Sequence, residues 1–337
     1  MKKMFLRMAC AVMCLVLLSG CGAGGGTAET EPETAVFLDA VTVEDVVIED
    51  EAVALSEAPK GTAADGTSAA PEILAAEASG VKTKKSSRAV IDYSNASDGY
   101  VMVNFTGNTA KRLKVQVAGP TSTYTYNLTP KTWTVFSLSD GNGAYQVKIF
   151  ENVTGNKYSM ETAVSVDVTL KDEFAPFIRA NQYVNYTTES KIVAKAAELT
   201  RDMTDPLKKV EAVYRYVVKN TTYDKAKAAS VTSGYLPDLD QVLETKTGIC
   251  FDYAALMTGM LRSQGIPCKL VVGYAGTAYH AWISVWVDGI GWVENAIYFD
   301  GTAWQRMDPT FASTGGQSKE IMAYIGDGKN YSAKYLY

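Results

Sequence analysis

Thr245-Lys246-Thr247-Gly248-Ile249-Cys250-Phe251-Asp252-Tyr253-Ala254 opens an apolar pattern in which Tyr253, Leu256, Met257, Met260 and Leu261 recur at steps of three and four. Gly265-Ile266-Pro267 closes it. That spacing predicts a helix over residues 250–264, ended by a left-handed glycine and a proline stop. Cys250 falls at its N-terminus, where unpaired N–H groups and the helix dipole favour a thiolate and can steady an oxyanion. The stretch therefore reads as a nucleophile mounted on a helix start.

Downstream, Cys268 to Tyr274 reads as a buried strand, with Cys268 a small core residue. The chain's one histidine, His280, then opens an alternating run. Ala281, Ile283, Val285 and Val287 share one face, and His280, Trp282, Ser284 and Trp286 the other. In Trp304-Gln305-Arg306-Met307-Asp308 the same alternation puts Asp308 with Trp304 and Arg306. Neighbouring antiparallel strands would bring Asp308 beside His280, where a carboxylate fixes the imidazole tautomer and stabilises its charged form. Thiol, imidazole and carboxylate are the parts of a thiol acyl-transfer enzyme. Trp282, Trp286, Trp292 and Trp304 fit either an aromatic channel around the thiol or ordinary core packing.

Upstream of the cysteine, Ile192, Ala196, Leu199 and Met203 form one helical stripe, and Leu207, Val210, Val213, Tyr214 and Val217 a second. From Asn220 through Leu243 the chain reads as a polar loop. Between Ala89 and Leu170 the period is two instead, as in Val101, Val103 and Phe105 or Tyr145, Val147 and Ile149. Gly119-Pro120, Ser139 to Gly143 and Gly155-Asn156 break the runs. Six to eight short strands with such turns predict a β-sandwich of immunoglobulin-like type. Its role is that of a spacer or of a ligand-binding module, with the spacer favoured.

Residues 1–21 carry Lys2, Lys3 and Arg7 ahead of an apolar stretch, Met8 to Leu18, too short to span a bilayer, which reads as a secretory signal. Its end, Leu17-Leu18-Ser19-Gly20-Cys21, resembles the lipobox of bacterial lipoproteins and implies lipidation of Cys21. Residues 22–80 hold thirteen acidic side chains against Lys60, a composition that cannot bury enough apolar surface to offset its ordering entropy. A self-repelling, disordered tether is expected there. The remainder is close to neutral, and no basic stripe points to nucleic acid. Cys250 and Cys268 do not make a disulfide scaffold, and one histidine with two separated cysteines offers no metal-ligand spacing.

The cysteine segment, Gly265-Ile266-Pro267, Gly273-Tyr274, His280-Ala281-Trp282, Trp304 through Asp308-Pro309-Thr310 and the upstream Tyr223-Asp224 together resemble the transglutaminase-like superfamily. The resemblance covers about residues 185–311. It implies an α+β papain-like core with Cys250 as nucleophile, His280 as acid and base, and Asp308 as its orienter, with no cofactor. The segment 289–303 departs from the pattern and suggests an extra hairpin beside the histidine. The expected organisation is a lipoprotein signal peptide over 1–21, an acidic tether over 22–87, a β-sandwich over 88–172 and a transglutaminase-like domain over 173–337. The expected activity is that of a membrane-anchored, extracytoplasmic peptidase or amidase acting on a protein or peptide through a thioester. Transfer to an amine, as in a protein-glutamine gamma-glutamyltransferase, and a non-catalytic surface binder stay open beside it. Oligomeric state is not legible.

Overall fold

A computed structural model describes residues 73–287, 291–293, 298–299, 304–305 and 331–337. The expected signal, Cys21 and most of the tether lie outside the described residues, and so does Asp308.

The alternating region folds as expected into strands, seven in number, and an eighth is added by the last residues of the stretch expected to be tether, where Thr83–Lys85 pairs with Ala89–Asp92. They are β1 (Thr83–Lys85), β2 (Ala89–Asp92), β3 (Tyr100–Phe105), β4 (Leu113–Ala118), β5 (Thr123–Leu128), β6 (Thr134–Ser137), β7 (Gly143–Thr154) and β8 (Lys157–Val168). They form two four-stranded antiparallel sheets, in the orders β1-β2-β3-β6 and β5-β4-β7-β8. The period of two is what makes this work. Val101, Val103 and Phe105 from one sheet and Val115, Val117, Val147 and Ile149 from the other point into a single apolar core.

Beyond the linking segment the period changes to that of helices. Helix α1 (Lys191–Leu199) follows Ser190, and α2 (Pro206–Asn220) starts at Asp205, whose carboxylate accepts from Leu207 N at 2.9 Å. Pro206 suits the first helical position because its missing N–H has no partner there in any case. A short strand β9 (Thr222–Tyr223) leads into α3 (Lys225–Ser230), and α4 (Leu239–Thr245) leads into β10 (Thr247–Gly248), which pairs with β9 in parallel. The segment expected to be a polar loop therefore contains two short helices. Asp224 and Asp238 cap them by accepting from Lys227 N at 2.9 Å and Gln241 N at 3.0 Å. Helices of six and seven residues carry too few apolar positions to show a stripe, so only the caps mark them.

Helix α5 (Cys250–Arg262) starts where expected and stops two residues earlier than read, with Gly265 left-handed at φ +73°. Every one of its residues is buried. It is the central rod of the second core, with α1, α2 and α4 on its sides and a sheet against it. Gly259 permits this crowding, since a Cβ there would stand 2.8 Å from both Ile192 Cδ1 and Leu239 Cδ1. The sheet has the order β13-β12-β11-β16, from β11 (Cys268–Ala275), β12 (Ala278–Val287), β13 (Gly291–Val293) and β16 (Tyr331–Leu336), all antiparallel. Between them in sequence, β14 (Tyr298–Phe299) and β15 (Trp304–Gln305) pair with each other, in the region where an additional hairpin was expected.

The two cores meet through tyrosines. Tyr337 packs on Tyr183 at 4.6 Å and on Tyr124 and Tyr126 at 5.7 and 6.0 Å between ring centroids. Ser139 Oγ donates to Leu336 O at 2.7 Å. Strand β16 thus joins the second sheet and packs against the sandwich in one move.

Candidate active site

The turn into α5 is built around one buried carboxylate. Asp252, at the third helical position and 0% exposed, accepts from Ile249 N at 2.8 Å, from Lys227 Nζ at 2.6 Å and from Tyr235 OH at 2.5 Å. Lys227 Nζ also donates to Tyr235 OH at 2.6 Å and lies over the Tyr235 ring. Gly248 has to lack a side chain here, because a Cβ would stand 2.7 Å from Asp252 Cβ. Burial, then the hydrogen bond to Asp252, pushes the Tyr235 phenol up, so it stays a proton donor.

Cys250 occupies the first helical position and is 2% exposed. Four backbone N–H groups of a helix's first turn lack partners within the helix, so the local field favours negative charge on sulfur or on an oxygen bound there. Phe251, the next residue, packs edge-on to Tyr183 at 5.4 Å and near Tyr235 at 6.5 Å. The sulfur-bearing turn is held on both flanks.

His280 lies in β12 opposite Gly273 of β11 and is 5% exposed. Ala281, Ile283 and Val285 enter the core that contains α5, as the alternation required, and the His280 ring stacks beside Trp282 at 6.4 Å with 23° between planes. Tyr279, one residue ahead, packs against the α5 core. Burial, chiefly, pushes its phenol up, and Tyr335, Tyr183, Tyr274 and Cys250 add to that. The start of β12 and the start of α5 therefore lie at one end of the domain, with the His280 ring on the Trp282 side of the sheet.

The other expected residues divide. Cys250 and Cys268 are both free thiols. Cys268 is a core residue, its Sγ 3.6 Å from Thr258 Oγ1, and burial pushes its thiol up to about 12. Trp282 is buried edge-on to Tyr331 at 5.0 Å, while Trp286 and Trp292 pack with Phe174 and Phe177 near the seam with the sandwich. A cleft of about 500 Å³ at that seam is walled in part by Phe177, Lys269 and Trp292, and Cys250 is not among its walls. Sequence reading missed Lys227 and Tyr235 altogether. The signal for Asp252 was present, a carboxylate three residues after the cap position, as in a capping box.

A buried cysteine on a central helix beside an antiparallel sheet defines a thiol-bearing α+β core, and comparison with known families gives it a class. Residues 193–309 match the family model "Transglutaminase-like superfamily", and the chain carries a transglutaminase-like domain there. Among curated proteins, the uncharacterized protein YebA of Bacillus subtilis is 26% identical over 155 residues, covering 40% of this chain and 21% of that protein. A protein-glutamine gamma-glutamyltransferase of Pseudomonas aeruginosa is 32% identical over 68 residues, covering 16% and 10%. The chain thus spans about a fifth and a tenth of the length of these two relatives. Among solved structures, a candidate cysteine protease from Cytophaga hutchinsonii aligns with TM-score 0.34 at 16% identity, over 63% of this chain and 78% of that one. Red sea bream transglutaminase aligns with TM-score 0.27 at 13% identity, over 67% and 53%.

Proposed function

We propose that this chain is a cysteine acyl-transfer enzyme of papain-like type, with Cys250 as nucleophile, His280 as general acid and base, and Asp308 orienting the imidazole. The observation that carries the reading is the placement of Cys250 at the first turn of a fully buried helix, with the start of β12 beside it. The thiolate attacks an amide carbonyl, the oxyanion forms at the N–H groups of the helix start, and the imidazolium protonates the departing nitrogen. A thioester results. Water as second nucleophile gives a peptidase or amidase, and an amine gives a cross-linker. Hydrolysis is the favoured outcome, because water is the default acceptor unless a site excludes it. The mechanism requires the imidazole edge to face the sulfur around the first residues of β12.

The sandwich is proposed to be immunoglobulin-like. Its strand orders support this, as does Tyr145 near the start of β7, whose hydroxyl donates back to Gly141 O at 2.8 Å and accepts from Asp140 N at 2.9 Å, in the manner of a tyrosine corner. The organisation proposed is a signal over 1–21, lipidation at Cys21, an acidic tether and the two folded modules on the outer face of a membrane. The charge pattern of residues 1–80 supports it.

The test joins chemistry to reactivity. Purified protein is incubated with a glutamine-containing protein and a labelled amine, and amine incorporation and new peptide termini are scored by mass spectrometry. Either product from the wild type, and neither from a folded Cys250→Ala variant, is expected. Iodoacetamide should label Cys250 faster than a model thiol between pH 5 and 8, and His280→Ala should abolish that advantage. A Cys250→Ala variant with full activity would remove the cysteine from the mechanism.

A further inference from the structure

Asp252 presents a physical problem that its partners solve. A carboxylate two residues from a nucleophilic thiol opposes formation of the thiolate, since like charges at such range disfavour each other strongly in a buried setting. Yet Asp252 cannot be spared, because its bond to Ile249 N closes the turn that delivers Cys250. Lys227, from α3, sits on that carboxylate at 2.6 Å and is the cation that cancels it, while Tyr235 donates to the other oxygen and adds no charge of its own. Helix α3 is itself placed by Asp224, whose N–H bonds Gly248 O at 2.9 Å, so the cation and the turn it serves are tied by backbone.

We propose that Lys227 and Asp252 are positioning residues for Cys250: the carboxylate holds the turn into α5, and the lysine neutralises it so that the field of the helix start acts on the sulfur undiminished. Tyr235 fixes the pair's geometry without adding charge. The inference rests on the reading of Cys250 as a nucleophile. The other titratable groups near this end of α5 are Tyr279 from β12, Tyr335 from β16, Tyr183 from the linking segment and Asp238 ahead of α4.

The two partners make opposite predictions, which a purely structural role does not. Asp252→Asn keeps an acceptor for Ile249 N and removes the negative charge, so the pH midpoint of Cys250 alkylation should fall by about one unit. Lys227→Met leaves the carboxylate uncompensated, and the midpoint should rise by about one unit. Lys227→Arg should stay at the wild-type midpoint, and the Lys227→Met/Asp252→Asn double variant should return toward it. Midpoints come from iodoacetamide labelling of full-length protein from pH 4 to 10, read by mass spectrometry at Cys250, with near-ultraviolet circular dichroism confirming the native fold of each variant. Because both substitutions loosen the same contact, shifts of the same sign, or no shift in folded variants, would overturn the proposal. If wild-type Cys250 itself labels no faster than a model thiol, the reading of a nucleophile fails first, and the two failures are told apart.

Discussion

Replacing Arg262 with methionine tests the account of how the second core is closed. The guanidinium is 2% exposed and makes four hydrogen bonds to three carbonyls: Nε and Nη2 to Cys268 O at 2.9 and 2.7 Å, Nη1 to Arg179 O at 2.7 Å, and Nη2 to Tyr337 O at 2.6 Å. It thereby ties the end of α5 to the linking segment, to the first residue of β11 and to the residue after β16. Hydrogen bonds from a charged donor contribute about 1.5–3 kcal/mol each, or roughly 6–12 kcal/mol for the set. Burial lowers the guanidinium to about 10 from its ordinary 12.5, so removing the charge recovers about 3 kcal/mol. Arg262→Met should therefore lose at least about 3 kcal/mol in urea unfolding followed by circular dichroism, with an unchanged slope. Hydrogen exchange should quicken at Leu270 N and Tyr337 N, which bond each other's carbonyls at 2.9 Å. Arg262→Lys should recover only part, because an ammonium lacks the planar fork. A methionine variant within about 0.5 kcal/mol of wild type, below the smallest single bond in that sum, would refute the reasoning.

Cys268 gives a pH dependence. Its thiol is raised to about 12 in the fold and ionises near its ordinary value when unfolded, so the unfolded state releases the proton first as pH rises. Its stabilising contribution is complete below about pH 9 and is lost progressively toward pH 12; from pH 8 to 10 the wild type should lose about 1.5 kcal/mol more than Cys268→Ala. Parallel unfolding curves for the two proteins across that window would contradict this. Gly273→Ala should detach β16, because a Cβ there would stand 2.1 Å from Ser332 O and 2.9 Å from Ala333 Cα, both backbone atoms unable to swing aside. A loss of about 2–3 kcal/mol is expected, with exchange in Tyr331–Leu336 accelerated before that in β12; unchanged exchange in β16 would count against it.

Much of this architecture is written in local periodicity. Val115 and Val117 or Val147 and Ile149 declare strands because one face of each is buried, and Tyr253 through Leu261 declare a helix because Gly265 and Pro267 end it. The expected face division of β12 also held, with Ala281, Ile283 and Val285 going to the core and His280 going with Trp282. What was not legible is what depends on partners far along the chain. Arg262, at the end of a helix, reads as an exposed charge complementing the dipole, and only the arrival of Arg179 and Tyr337 explains why it is inside. Lys227 gives no sign in Asp224-Lys225-Ala226-Lys227 that one of its two lysines meets a buried acid. Helices α3 and α4 were hidden by shortness, although Asp224 and Asp238 announced both.

The pairing of β11 with β16 has a consequence in time. About 60 residues separate the two strands, and a ribosome adding 5–20 residues per second needs on the order of 3–12 seconds to supply the second after the first. During that interval the sandwich already possesses all its strands, whereas the sheet beside α5 still shows an open edge along Val271 to Ala275. Maturation of the surroundings of the Cys250 thiol is thereby postponed until Tyr335 and Tyr337 dock, and a chain interrupted in that window would present a finished sandwich beside an unfinished second module.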